Sequence, residues 1–140
     1  MIVKQPKKLG IKHYSFEREV GGVIIGKWVT EKTNKWKLKT YLQLENRNPN
    51  PETDYQLPKL EFIPRLKILW YVMIGYSVLG LWHTHVKGKL VPSKKDIEAV
   101  LKVAKGRRFI LGIGGQTIEL NNHGVEEKEF KIKNYIFNAK

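Results

Sequence analysis

The sequence predicts an α/β domain, and two features of its patterning carry that prediction. Strand-like and helix-like segments alternate, and the clearest helix, Ser93 to Lys105, follows an extended apolar segment from Tyr76 to His83. Such alternation lays helices against a sheet. The length of 140 residues suits one core, and no repeat, second domain or low-complexity tract interrupts it, so residues 1–140 read as a single domain.

Taken in order, residues 1–18 form a basic N-terminal segment punctuated by Pro6 and Gly10, with at most a helical turn from Tyr14 to Arg18. Glu19 to Thr30 reads as a strand covered on both faces, because Val20, Val23, Ile24, Ile25 and Val29 make a nearly continuous apolar run. Gly21, Gly22 and Gly26 within it imply a bulge or close backbone approach. After the polar turn Glu31 to Lys35, the stretch Trp36 to Leu44 alternates. Trp36, Leu38, Thr40, Leu42 and Leu44 fall on one side, and Lys37, Lys39, Tyr41 and Gln43 on the other, which makes a half-buried strand and a hairpin with its predecessor. Residues 46–58 are a loop insertion, since Asn48-Pro49-Asn50-Pro51 keeps each residue before a proline out of the helical region. Pro64 to Ile74 reads as a short helix with Leu66, Leu69, Trp70 and Met73 as its core stripe, and in the strand Tyr76 to His83 Gly80 admits a close neighbour. In Ser93 to Lys105 the stripe is Ile97, Val100, Leu101 and Ala104. Ser93 is the N-cap, Lys102 and Lys105 occupy the last turn, and Gly106 ends the helix. Arg107 to Ile113 and Gln116 to Leu120 read as two strands around Gly114-Gly115. A turn at Asn121 to Gly124 leads to a last strand, Glu127 to Phe137.

Composition narrows the chemistry. There is no cysteine, so disulfides and thiolate metal sites are excluded and any metal must rest on histidine and carboxylate. The net charge of +13 implies attraction to an acidic partner, nucleic acid or an anionic surface, or simply a lysine-rich solubilising surface. No apolar core of a secretory signal follows the basic N-terminus. The run Ile68 to Trp82 is shorter than a membrane span and broken by Gly75, Tyr76 and Ser77, so no membrane is expected and the default address is the cytoplasm.

The densest chemistry lies in Gly80-Leu81-Trp82-His83-Thr84-His85, followed after seven residues by Ser93-Lys94-Lys95-Asp96. Alternate residues of a strand share a face at a spacing of roughly 6–7 Å, so His83 and His85 can converge on one cation while Thr84 points away in a structural role. Asp96 arrives from the first turn of a helix. Two histidines and one carboxylate leave a fourth position of a tetrahedral zinc open, the arrangement of a catalytic site. The plainer readings are two partly buried strand histidines and a capping box from Ser93 to Asp96, and a cap is compatible with a ligand. His13 and His123 stand alone in polar settings and read as non-ligands. Gly112-Ile113-Gly114-Gly115 lacks the lysine and the helix of a phosphate loop.

The spacing H-T-H-x7-S-x-x-D, together with an independent upstream E-x-x-G-x-x-x-G from Glu19 to Gly26, resembles the JAMM (MPN+) metallopeptidase family in a minimal prokaryotic, archaeal or viral form. The resemblance extends from about Glu19 to the strand after the second helix. It implies a mixed, curved sheet packed by helices, similar to cytidine deaminases, and one zinc per chain on His83, His85 and Asp96. It gives Glu19 the proton transfers of a zinc-activated water and Ser93 a hydrogen bond to the developing oxyanion. Glu17 has the same chemistry in the wrong register. The implied reaction is hydrolysis of an isopeptide or peptide bond after the C-terminal tail of a ubiquitin-like modifier, and the implied partner is such a modifier, often acidic, or its conjugate. Other roles in the family are tail processing of a sulfur carrier and viral tail maturation. A RadC-like branch would instead bind nucleic acid through its basic surface. The chain departs from the family at Val86, where a proline is common, and at Leu81, where the tryptophan is displaced to Trp82. Its segment ahead of Glu19 is also a poor helix.

Overall fold

The computed structural model of the chain describes residues 2–4, 19–30, 32–44, 62–85, 90–120 and 122–137. These residues form β1 (Ile2–Lys4), β2 (Gly21–Trp28), β3 (Trp36–Leu44), α1 (Phe62–Met73), β4 (Ser77–Thr84), α2 (Lys94–Ala104), β5 (Phe109–Leu120) and β6 (Glu126–Phe137). The strands make one six-stranded sheet in the order β1-β6-β5-β4-β2-β3. The sheet is mixed. β2 runs antiparallel to β3 and β4, β5 runs antiparallel to β6, and the pairs β4–β5 and β1–β6 are parallel.

The apolar run of β2 is buried on both faces, as its composition requires. Ile24 packs with Tyr41, Trp82 and Ile110 on one face. Val23 and Ile25 pack with Leu44 on the other, beneath Ile68 and Tyr71 of α1. Further along that second face, Val100 and Ala104 of α2 cover Leu111 and Ile113 of β5. Gly22 is required where it stands, because a Cβ there would collide with the carbonyl of Leu42 on β3.

The first face is closed by curvature. Tyr41 on β3 and Asn134 on β6 are separated by three strands, which in a flat sheet would be about 19 Å. Yet the Tyr41 hydroxyl donates to Asn134 Oδ1 at 3.1 Å and accepts from its Nδ2 at 2.9 Å. The sheet therefore curls around Trp82, whose ring meets that of Tyr41 edge-on at 5.9 Å. Arg108 fastens the same curl at the far end. Its guanidinium lies 3.8 Å from the Trp28 ring centre, and it donates to the carbonyls of Thr30 and Thr33 in the β2–β3 turn.

Several sequence expectations change. Tyr41 lies opposite Leu42 and Leu44 on β3, as the alternation predicts, but its face is buried rather than solvated, because the curl brings Trp82 and Asn134 against it. A bulge at Lys39, where Ile25 pairs with Thr40 and Gly26 with Leu38, reverses the alternation and puts Trp36 on the Tyr41 face. The stripe expected to bury α1 is misphased. Leu66, Leu69, Trp70 and Met73 are exposed, while Ile68 and Tyr71 make the contact. A helix that is apolar nearly all round offers no phase to read. On α2 only Val100 and Ala104 are buried, whereas Ile97 and Leu101 face outward. The two strands expected around Gly114-Gly115 are one continuous β5, because β6 pairs with it from Phe109 to Leu120 without a break. β1 was not anticipated, since three residues of a basic segment carry no alternation to detect. The remainder of the N-terminal segment, including Tyr14 to Arg18 and His13, and the loop at 46–58 lie outside the described residues. No helix among the described residues is long and apolar enough to cross a membrane.

Candidate metal centre

The βαβ connection explains why the ligands meet. β4 and β5 are parallel, so the helix between them begins at the end of the sheet where β4 finishes. His83 occupies that end of β4 and His85 directly follows it, and Asp96 lies in the first turn of α2. The backbone holds both pieces. His85 N–H donates to the Gly114 carbonyl at 2.8 Å, and Gly80 lets β4 lie against Ile110, whose carbonyl a Cβ would strike.

The three side chains converge. His83 Nε2 and His85 Nε2 are 3.2 Å apart, Asp96 Oδ1 is 3.1 Å from His83 Nε2, and Asp96 Oδ2 is 3.2 Å from His85 Nε2. A tetrahedral zinc with bonds near 2.1 Å separates its ligand atoms by about 3.4 Å. The two imidazole nitrogens thus stand at nearly the spacing such an ion requires, each facing its own Asp96 oxygen, and among the described residues this is the group of histidines and acids that can hold a metal. His123 lies apart from it in an exposed turn.

Asp96 is pre-ionised for this role. Burial raises its pKa, but hydrogen bonds from His83 and His85, the charge of His83 and the backbone N–H of Ser93 outweigh burial and hold the carboxyl well below the usual carboxylate range. Ser93 caps α2 as expected. Its Oγ accepts from Asp96 N at 3.1 Å, and its own N–H donates to Asp96 Oδ2 at 2.8 Å, a complete capping box.

Glu19 lies just before β2 and is 7% exposed. β2 sets Gly21 opposite His83, and Thr84 N–H donates to the Val20 carbonyl at 2.8 Å. Continued by two residues, this register sets Glu19 beside His85 on the histidines' face of the sheet, one strand spacing of about 4.8 Å away. Thr84, expected to be structural, has a specific task. It is 1% exposed, and its Oγ1 accepts from Val20 N–H at 2.9 Å, which fixes the residue next to Glu19. No residue pattern points to Tyr135, whose hydroxyl donates to the Leu90 carbonyl and anchors the approach to Ser93 from a strand 45 residues away.

The model of prokaryotic homologues of the JAB domain matches residues 9–130. The chain belongs to this family. The resemblance carried by the histidine and glutamate motifs is thereby established, and the mixed sheet packed by helices is consistent with the α/β fold of the JAB family. No curated protein matches the JAB chain. Among solved structures it is similar to protein DSY2949 from Desulfitobacterium hafniense, at 16% identity over 96% of this chain and 90% of that one, with a TM-score of 0.49.

Proposed function

We propose that this JAB domain is a zinc-dependent peptidase that hydrolyses the isopeptide or peptide bond after the C-terminal tail of a ubiquitin-like modifier. The observation that carries the reading is the cluster of donor atoms from His83, His85 and Asp96, the two Nε2 atoms 3.2 Å apart and each 3.1–3.2 Å from one of the two Asp96 oxygens. Bound there, zinc supplies a Lewis acid and lowers the pKa of a coordinated water. Glu19 takes the proton of the attacking water and passes it to the departing amine. Its burial favours that exchange by keeping competing solvent away. Ser93 donates its hydroxyl proton to the carbonyl oxygen as charge develops there, while the same oxygen accepts the Asp96 N–H, since a hydroxyl does both at once. The net charge of +13 draws in an acidic modifier.

The test is cleavage of fluorogenic amides built on the tails of ubiquitin-like modifiers, and of a lysine-linked conjugate, by the zinc-loaded protein and by Glu19→Gln. Turnover by the wild type and none by a variant that still holds zinc supports the reading. A variant as active as the wild type removes Glu19 from the mechanism. The same charge supports a second reading, a nucleic-acid-associated domain. That reading requires binding that weakens steeply with salt and survives Glu19→Gln.

A further inference from the structure

We propose that the end of the sheet opposite the histidines is a docking surface for the phosphate backbone of a duplex nucleic acid. Two segments far apart in sequence meet there. β2 ends and β3 begins at this end, and α2 finishes beside them at Lys105. Arg108 ties the two together, since its guanidinium donates to the carbonyls of Thr30 and Thr33. Lys27, Lys32, Lys35 and Lys37 of the hairpin and Lys105 and Arg107 after α2 are all exposed, and among the described residues no carboxylate pairs with them. Lys27 rests on the Tyr76 ring, 4.8 Å from its centre, which orients the ammonium and leaves its charge in place. Lys27 and Lys37 stand directly opposite one another in the β2–β3 register, a like-charge pair that costs stability unless an anion offsets it. The described carboxylates lie toward the other end. Glu19 precedes β2, Asp96 and Glu98 are in the first half of α2, Glu119 is near the end of β5, and Glu126, Glu127 and Glu129 begin β6. Glu31 lies outside the described residues.

Charge density selects the occupant. From β3 to β5 this end of the sheet spans three strand spacings, about 14 Å. A duplex carries about eight phosphates over that length, whereas protein surfaces intersperse the two signs. A protein interface also needs a desolvated apolar centre, and the turn here is polar, with Thr30, Lys32, Thr33, Asn34 and Lys35 all exposed. A second copy would bring the same cations and be repelled. Lysine heads on flexible stems neutralise phosphates without reading bases, so the binding is independent of sequence. From Ser77 to His83, β4 rises about 20 Å, which sets this surface well apart from the metal centre. The inference rests on the nucleic-acid reading above, gives it a place on the molecule, and is compatible with the peptidase reading.

The experiment measures fluorescence anisotropy of a labelled DNA duplex of about 20 base pairs, between about 50 and 200 mM salt. It is run on zinc-loaded and metal-free protein and on Glu19→Gln. The logarithm of the binding constant is expected to fall against that of salt with a slope of about −4 to −5, as six cations allow. The three forms, and two duplexes of unrelated sequence, should behave alike. Lys32→Ala combined with Lys35→Ala is expected to weaken binding at least about tenfold and to make the slope shallower by about 2. Lys94→Ala combined with Lys133→Ala removes the same charge from exposed positions away from this end, and is expected to change affinity by less than about twofold. A labelled polyglutamate of equal charge is expected to bind at least about tenfold more weakly than the duplex. A hairpin variant that matches the control pair overturns the proposal and leaves the nucleic-acid reading standing. A wild type that binds no duplex overturns both. Polyglutamate bound as tightly as the duplex overturns the proposal in favour of an acidic protein.

Discussion

Ser93 and Asp96 hold one another through two hydrogen bonds, Asp96 N–H to Ser93 Oγ at 3.1 Å and Ser93 N–H to Asp96 Oδ2 at 2.8 Å. The cap that starts α2 therefore also aims the carboxylate at both imidazoles, so that helix formation and metal binding share one device. The two roles separate by mutation. Ser93→Ala is expected to cost about 1 kcal/mol of stability through the lost cap, and to retain zinc because the backbone N–H remains. Its turnover should fall by about 10²–10³. Asp96→Asn is expected to keep the cap and lose zinc affinity by about 100-fold or more. Chemical denaturation and zinc titration of the two variants check this, and a Ser93→Ala protein that loses its metal contradicts it.

Zinc should stabilise the fold, because the ligands are assembled only in the folded chain. At a free concentration of 100 times Kd the gain is about 2.7 kcal/mol. Thermal unfolding with and without chelator is expected to show a zinc-dependent rise for the wild type and none for His83→Ala. A shift of equal size in that variant would locate the metal elsewhere.

Tyr41 should govern stability in alkali. Burial pushes its hydroxyl pKa up, and the hydrogen bond from Asn134 offsets this only in part. A raised value in the folded chain means that Tyr41 contributes stability in full below about pH 10, where free tyrosine begins to ionise, and that this is lost as pH rises through the folded value. Tyr41→Phe is expected to flatten that alkaline loss. It should cost about 1–3 kcal/mol at neutral pH, because Asn134 is left without its partner. Urea unfolding at neutral and alkaline pH measures both effects.

Gly80→Ala places a methyl group against the Ile110 carbonyl, where backbone rather than a flexible side chain is met. The expected cost is about 3 kcal/mol or more, since β4 and β5 must separate. Hydrogen exchange should report the loss first at β4 and β5. Unchanged protection there would show that the pairing yields.

What the sequence made legible follows from the range of the interactions. His83, His85, Ser93 and Asp96 lie within fourteen positions of one another, and their geometry is set by the periods of one strand and one helix. Glu19 is distant in sequence, yet the glycines after it mark the close strand pairing that delivers it. The curl of the sheet was not legible from residue periodicity, because it rests on pairs such as Tyr41 with Asn134 and Arg108 with Trp28, which no local period encodes. Nor was the face of α1. In Phe62–Met73 apolar residues surround the axis, and only packing against Val23, Ile25 and Leu44 selects Ile68 and Tyr71. The bulge at Lys39 reversed the faces of β3 for a related reason, since a single inserted residue leaves no mark in composition.

The metal centre itself is tested most directly by counting zinc in the purified chain, by mass spectrometry of the metal after exchange against a weak chelator, for the wild type beside Asp96→Ala and His85→Ala. One zinc per wild-type chain and none in either variant is the expected result. A wild type that holds no zinc, or variants that hold as much as it does, would contradict the assignment of His83, His85 and Asp96 as its ligands.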